Sequence, residues 1–377
     1  LSSNSYAGVY SFMEKIKRGK NRVDVEELDL KDIEPPGIQG GYMVKEDKPD
    51  ELTFFNAGGV DLQYVYPDYS RMAQTQANWI KGYIDTFDAV LDGPNFTNPA
   101  TGYAKYFEVG PSIDHHILNV FPVNVDGLRL STYMYKARYG KFTYGPIWDF
   151  DRAMECADDG RDDVWNAFHN NADVMFFDDS RFPWWDRLFQ DPDFWQRWID
   201  RWQELRLGKV SDSNVCFIIT SMSNQLAEAQ ARNFAKWPGV APRSGGGPWG
   251  HLNGTWAGEM RHMQCWLTNR AVWMDSQFLG QPTLSLASGM VAPGATLTIT
   301  NSSGATNYYT LDGTDPRQSG GGISPCAQQY TSALVLTSNT VVRVRARDGV
   351  PSGNAPARTP WSGPVEGVYI VAVPALT

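Results

Sequence analysis

A sharp change of texture near Pro282 divides this 377-residue chain. Beyond it the sequence becomes short alternating runs: Thr296-Leu297-Thr298-Ile299-Thr300, Asn307-Tyr308-Tyr309-Thr310-Leu311, Ala333-Leu334-Val335-Leu336-Thr337 and Val341-Val342-Arg343-Val344-Arg345-Ala346. Alternation with period two, bounded by Gly, Pro, Asn and Asp, marks strands and turns, because successive strand side chains point to opposite faces. Several such strands at short spacing describe a small β-sandwich. Before the break, Trp, Phe, Asp and Arg are frequent and apolar residues recur at the three-and-four spacing of helices. Two domains are therefore expected, over residues 1–280 and 281–377.

The front region opens with strand signals. Val9-Tyr10-Ser11-Phe12-Met13 reads as extended, and Gly40-Gly41-Tyr42-Met43-Val44-Lys45 starts a short strand after a Pro-Pro-Gly turn. Residues 71–91 predict a helix on Trp79, Ile80, Tyr83, Ile84, Phe87 and Leu91, and residues 113–121 a second apolar one. Tyr133-Met134-Tyr135-Lys136, a turn at Gly140 and Phe142-Thr143-Tyr144 predict a hairpin leading into Gly145-Pro146-Ile147-Trp148-Asp149-Phe150-Asp151. Three long helices are expected over 184–206, 213–236 and 256–279. In the first, Trp195, Trp198, Trp202 and Leu205 share one face, which reads as core rather than as a platform for sugars. Arg243 to Pro248 reads as a flexible loop.

Composition excludes several classes. With 14 Trp, 17 Tyr and 18 Phe the chain can build a large core, so intrinsic disorder is not its main state. A net charge of -9, from 33 basic and 42 acidic residues, disfavours a broad basic face, and no nucleic-acid partner is expected. No uncharged apolar run reaches the roughly 18 residues a membrane span needs. The chain opens at Leu1 without an initiator Met or a charged-then-apolar leader, and so reads as a processed or truncated product. Cys156, Cys216, Cys265 and Cys326 are widely spaced with no C-x-x-C pair, so no Cys–zinc site is expected. Cys216 and Cys265 read as buried thiols rather than a disulfide. His115 and His116, beside Asp114 on a helix, read as structural, and no Gly-x-Ser-x-Gly elbow is present.

Chemistry concentrates in the acids. In an extended segment Asp149 and Asp151 would point to one face, where two carboxylates repel unless a cation neutralises them. Hard oxygen ligands of this kind suit Mg²⁺ or Mn²⁺, particularly with phosphate completing the coordination. A third carboxylate, Asp126 from the preceding loop, could act as a base toward a hydroxyl. The same acids could instead pair with Arg152, Arg129 or Arg138. Spacing alone leaves both readings open.

The stretch Asn124-Val125-Asp126-Gly127-Leu128-Arg129 through Tyr133-Met134-Tyr135-Lys136, Gly140-Lys141 and Gly145-Pro146-Ile147-Trp148-Asp149-Phe150-Asp151 resembles the spore-coat protein H (CotH) family. So do Gly8-Val9-Tyr10 with Glu14-Lys15-Ile16, and Gly40-Gly41-Tyr42-Met43-Val44-Lys45. The resemblance covers residues 1 to about 279. It implies an α+β class: an atypical, divergent protein-kinase-like fold with a truncated N-terminal lobe, because the chain starts inside that lobe. It further implies ATP with Mg²⁺ or Mn²⁺ as cofactors and phosphorylation of Ser or Thr. By position, Asp126 resembles the catalytic aspartate that orients the acceptor hydroxyl, Asp149 the metal-binding aspartate, and Asp151 a second metal ligand. Glu14 and Lys45, on the N-terminal strands, are the candidates for contacts near the nucleotide. One departure concerns the position five residues after the catalytic aspartate, where a kinase carries Asn for the second metal; here Ser131, followed by Thr132, is a poorer ligand.

Beyond the break, Tyr308-Tyr309-Thr310-Leu311-Asp312-Gly313-Thr314-Asp315-Pro316, followed by Tyr330, Leu336-Thr337 and Val344-Arg345-Ala346-Arg347, resembles the all-β, Ig-like sandwich at the C-terminus of chitobiase-type hexosaminidases. Asp312-Gly313 and Asp315-Pro316 read as hairpin-tip turn formers rather than a calcium site. Together the two resemblances imply a secreted or cell-surface, bacterial-type protein acting on an extracellular or surface protein substrate, with polysaccharide as the other expected partner. The competing reading is a non-catalytic extracellular scaffold or carbohydrate-binding surface protein that keeps the kinase-like fold. It is motivated by Ser131 and by the absence of upstream strands. A polysaccharide-degrading enzyme rests only on the company the sandwich keeps.

Overall fold

Strand β1 (Tyr42–Glu46) lies at the centre of a five-stranded sheet in a computed structural model that describes residues 5–48, 54–168, 176–177, 184–302, 304–349 and 359–372. Strands β2 (Phe54–Ala57) and β3 (Val60–Tyr66) form a hairpin on one side of it. The hairpin turn is Gly58-Gly59, whose φ values of 56° and 76° give the two-residue turn that matches strand twist. On the other side lie β4 (Thr132–Lys136) and β5 (Phe142–Tyr144). The order is β2-β3-β1-β4-β5, and every neighbouring pair is antiparallel. The expected β4–β5 hairpin and the expected strand at β1 are both present.

The expected strand at 9–13 is not. That segment joins no ladder; Val9 N instead donates to Asn233 Oδ1 at 2.9 Å, and Trp237 Nε1 to Ala7 O at 3.1 Å. Its alternation encloses no buried face, since Tyr10 is 71% and Phe12 104% exposed.

Helix α1 (Gln74–Asp92) buries Ala77, Ile80, Ile84, Phe87 and Leu91 at the predicted spacing. Trp79 stacks on Tyr42 of β1 at 5.5 Å, and Phe87 on Phe107 at 5.2 Å. Helix α2 (Val109–Val120) begins earlier than expected and is buried on several sides, including His115, His116 and Asn119. Burial keeps both histidines neutral, at about 3, and His116 Nε2 lies 3.0 Å from Phe176 O, in keeping with their structural reading.

The expected helix over 184–206 divides into α3 (Trp185–Leu188) and α4 (Pro192–Arg206), because Pro192 opens a new helix. The one over 213–236 divides into α5 (Asp212–Leu226) and α6 (Ala229–Lys236). Residues 243–248, expected as a flexible loop, include β6 (Ser244–Gly246), which pairs with β7 (Leu252–Asn253) ahead of α7 (Trp256–Ser276). All four cysteines are free; Cys216 and Cys265 are half-buried rather than buried.

The chain divides into two compact units, and the helix carrying the Trp stripe belongs with the C-terminal strands: one unit takes residues 1–176 and 206–271, the other 184–205 and 272–377. Among the described residues of the second unit nine short strands follow: β8 (Thr283–Leu284), β9 (Gly289–Val291), β10 (Ala295–Leu297), β11 (Ile299–Thr300), β12 (Thr306–Thr310), β13 (Gln328–Gln329), β14 (Leu334–Leu336), β15 (Thr340–Arg347) and β16 (Val365–Val371). Five of them form a sheet in the order β13-β12-β15-β16-β9; β10 pairs with β14 and β11 with β8. Between the sheets Leu297, Ile299, Tyr309, Leu336, Val342, Val344 and Tyr369 form the core.

Helix α4 has two buried faces. Trp195, Trp198 and Trp202 pack among aromatic rings, with Phe177 4.6 Å from Trp195 and Phe278 5.6 Å from Trp198. On its polar side Asp200 meets the other side of β15, and Gln196 donates to Ser362 O at 3.2 Å. There Arg345, which strand alternation would leave in solvent, is only 2% exposed. Its guanidinium donates to both oxygens of Asp200 (2.6 and 2.7 Å), both oxygens of Asp315 (2.7 Å each) and Ser362 O (2.7 Å). Asp315 is therefore a buried-ion partner as well as a turn former. The hydrogen bond and charge of Arg345 hold its carboxyl below the usual range despite burial. A carboxyl whose folded pKa is depressed contributes stability above the unfolded value of about 4 and loses it as the pH falls through the folded one. Replacing Arg345 by Met should cost about 3 kcal/mol in urea denaturation, since two acids lose their shared cation. The same replacement should flatten the acid side of the stability–pH curve. An unchanged midpoint and slope would mean that α4 and the strands hold together without this cluster.

Candidate functional site

The site is built on the loop between α2 and β4 and on the segment that follows β5. Val123, Val125 and Leu128 of the loop are buried, which leaves the residues between them to carry polar work. Asp126 therefore lies beyond the end of α2, in a loop that Val123 turns with a φ of 55°. Its backbone carbonyl accepts from Arg129 N at 3.0 Å and Leu130 N at 2.7 Å. The loop and the segment after β5 run side by side: Val125 N donates to Arg152 O at 3.5 Å, and Met154 N to Pro122 O at 2.9 Å.

Asp149 and Asp151 come together, but not by strand alternation. Asp149 has a φ of 63°, a left-handed backbone rather than an extended one. Desolvation, then the neighbouring Asp151 charge, hold the Asp149 carboxyl above its usual range, while a hydrogen bond from Ser131 opposes the shift. Ser131 Oγ donates to Asp149 Oδ2 at 3.2 Å, and Asn124 Nδ2 donates to the Asp149 carbonyl at 3.3 Å. Lys45, near the end of β1, pairs with Asp47 at 3.0 Å, and Asp47 adds to the negative potential on Asp149.

The predicted site residues do not all share this group. Asp126 meets Arg129 at 3.0 Å, Arg161 at 3.4 Å and Arg152 at 3.6 Å, so the arginine-pairing reading holds for this acid. Arg138 turns elsewhere, its guanidinium donating to Glu27 O at 2.9 Å. Glu14 is neither on a strand nor beside Asp149. Its ionic partners are Arg22 (2.5 Å) and Lys17 (2.9 Å), whose hydrogen bonds hold its carboxyl well below the usual range. Asn124, Asp47 and Arg161 escaped sequence reasoning. Only Asn124 left a trace, as a polar residue between two loop valines.

The donor set fits a hard divalent cation in an open site. Among the described residues no three His, Cys, Asp or Glu side chains gather into a closed metal site. Two carboxylates match the way Mg²⁺ is usually held, by one or two carboxylates with phosphate oxygens and water completing the shell. A cation there would also relieve the repulsion between Asp149 and Asp151. Two cavities are formed by nearby residues. One of about 380 Å³ is lined by Glu46, Asp47, Asp61, Gln63, Arg129 and Leu130 among others, and burial pushes the Glu46 carboxyl up to about 8. The other, of about 500 Å³, is lined by Arg22, Asp24, His115, Tyr135, Tyr144 and Ile147 among others.

Beneath the loop the packing is tight. Asn124 Nδ2 also donates to Asn119 Oδ1 at 3.0 Å, and a Cβ on Gly127 would stand 2.0 Å from that oxygen and 2.6 Å from Asn124 Nδ2. Gly127→Ala should therefore destabilise the chain by about 1–3 kcal/mol through overpacking. Amide exchange over residues 122–131 should accelerate more than over α1. Uniform acceleration, or none, would show that the loop has room to spare.

Residues 3–274 match the model of a family described as CotH kinase protein. Residues 286–356 match the chitobiase/beta-hexosaminidase C-terminal domain. No curated protein matches the chain.

Proposed function

The chain belongs to the CotH kinase protein family, and from that premise we propose that it is a phosphotransferase with a divergent kinase-like fold, residues 1–280 forming the catalytic domain and 281–377 an accessory sandwich. The observation that carries the reading is the Ser131–Asp149–Asp151 group lying beside the Asp126 loop. Phosphoryl transfer uses one carboxylate toward the acceptor hydroxyl and others toward the metal, and these acids are the ones proposed for those roles.

In the proposed reaction the acceptor Ser or Thr oxygen forms a bond to the γ-phosphorus of ATP. The bond from that phosphorus to the β–γ bridging oxygen breaks, and ADP leaves. Asp126 orients the acceptor hydroxyl and takes its proton. Asp149 and Asp151 would hold Mg²⁺ or Mn²⁺, which would supply charge neutralisation to the phosphates. Lys45, held by Asp47, contributes positive charge toward the nucleotide. Glu14 has no part in it, because Arg22 and Lys17 occupy its carboxylate. A secreted or cell-surface setting, with an extracellular protein as acceptor, accords with the C-terminal sandwich.

With labelled ATP and Mn²⁺ the wild type should phosphorylate itself or a Ser-rich acceptor. Asp149→Ala and Asp126→Asn should each lower the rate by about 10²-fold or more. No transfer by the wild type would end the enzyme reading.

One observation favours a second reading, a non-catalytic surface protein. Three arginines engage Asp126, the residue that must accept the hydroxyl proton. The C-terminal domain's relationship to carbohydrate-active proteins points to polysaccharide as the partner in that case. On this reading the full chain is retained on an insoluble polysaccharide and binds ATP no more tightly with Mn²⁺ than without it. Metal-dependent nucleotide binding with no retention would remove it.

A further inference from the structure

Ser131 and Asp149 are two of the few non-glycine residues in the described chain with left-handed backbone, at φ 51° and 63°. An L-residue held there costs of order 1 kcal/mol or more, and persists where its surroundings over-determine it, commonly at functional sites. Here the two strained residues are bonded to each other. They are 18 positions apart, and the link is the hydroxyl of one on the carboxylate of the other at 3.2 Å.

Both ends of that bond are anchored. On the Ser131 side, Thr132 Oγ1 reaches back to Gly127 O at 3.1 Å and Leu130 O at 3.0 Å, closing the loop just ahead of β4. On the Asp149 side, Asn124 holds the backbone carbonyl, and Asn124 itself is 1% exposed. Its Nδ2 is shared between the Asp149 carbonyl and Asn119 Oδ1, while its own Oδ1 has no hydrogen-bond partner among the described residues. A Ser hydroxyl has one proton to give. Donated to Oδ2, it fixes the rotation of the Asp149 carboxylate and leaves Oδ1 unencumbered by it.

We propose that Ser131 is a positioning residue that aims the Asp149 carboxylate at a divalent cation, in place of the direct ligation an Asn would give at this position. The inference rests on the metal reading of Asp149 and Asp151. It makes the serine a conformational device: its left-handed backbone accompanies the bond from its hydroxyl to Oδ2.

Substitution by glycine separates this role from a merely structural one. Gly occupies positive φ without penalty, so Ser131→Gly removes the strain and the hydroxyl together. The probe is Mn²⁺ alone, its free concentration followed by electron paramagnetic resonance, with thermal unfolding measured on the same full-length samples. Ser131→Gly should unfold at or above the wild-type temperature and bind Mn²⁺ about ten- to a hundred-fold more weakly, the usual effect of losing a residue that orients a metal ligand. Ser131→Asn tolerates the left-handed backbone and retains a donor, and should stay within a few-fold of wild type. If Ser131→Gly binds Mn²⁺ as well as the wild type does, the positioning role is wrong while the metal reading stands. If it loses affinity only in step with stability, the role is structural and the proposal is likewise overturned. A wild type that does not bind Mn²⁺ overturns both.

Discussion

A single buried guanidinium sets the position of the loop on which the site depends. Arg270 of α7 is fully buried, and it donates to the carbonyls of Val120, Phe121, Trp165 and Ala167. The first two are at the C-terminal end of α2, where helix carbonyls lack intrahelical partners and the dipole is negative. The other two lie in the stretch that follows the Asp149–Asp151 segment. Burying a charge is costly unless it is hydrogen-bonded, and charge-assisted bonds to several carbonyls offset that cost. Burial pushes the guanidinium down to about 9, so it remains charged at neutral pH. The loop bearing Asp126 leaves α2 from this clamp, and its exit direction follows from it.

The second unit uses the same device with a different acceptor. Arg345 is as hidden as Arg270, but its partners are the carboxylates of Asp200 and Asp315. Asp200 is on α4, well before the composition break, and Arg345 is on β15, well after it. The ion cluster therefore makes α4 part of the unit that the C-terminal strands build, although its sequence belongs with the helices. A break in composition marks where one kind of secondary structure yields to another. It does not mark where packing ends.

Much of the fold was legible. Helix α1, the β4–β5 hairpin, the Trp face of α4 and the alternating C-terminal strands follow from periodicity alone. Strands β2 and β3 were missed, although Gly58-Gly59 is a strong two-residue hairpin turn between runs of strand formers. The site was partly legible. Asp149 and Asp151 stand out as close acids, and Asp151 does act on Asp149, but the left-handed backbone of Asp149 is something spacing cannot reveal. Glu14 looked like a strand residue and is instead held by Arg22 and Lys17. Ser131 looked like a deficient ligand; in the folded chain its hydroxyl bonds the acid that the ligand would have joined.

What the sequence determined by itself is the family and the strongly periodic elements: helix α1, the β4–β5 hairpin, the Trp face of α4 and the C-terminal strands. Those depend on local periodicity and on residues close in the chain, which spacing encodes directly. What only the tertiary structure decided is which charges meet. Arg161 reaches Asp126, Arg345 reaches Asp200, and Asn124 reaches the Asp149 carbonyl across 25 positions. Such pairings are set by the crossing of elements in space and by the need to satisfy each buried polar group where it falls. No local pattern carries that information, so the acids could be counted from the sequence but their partners could not be assigned.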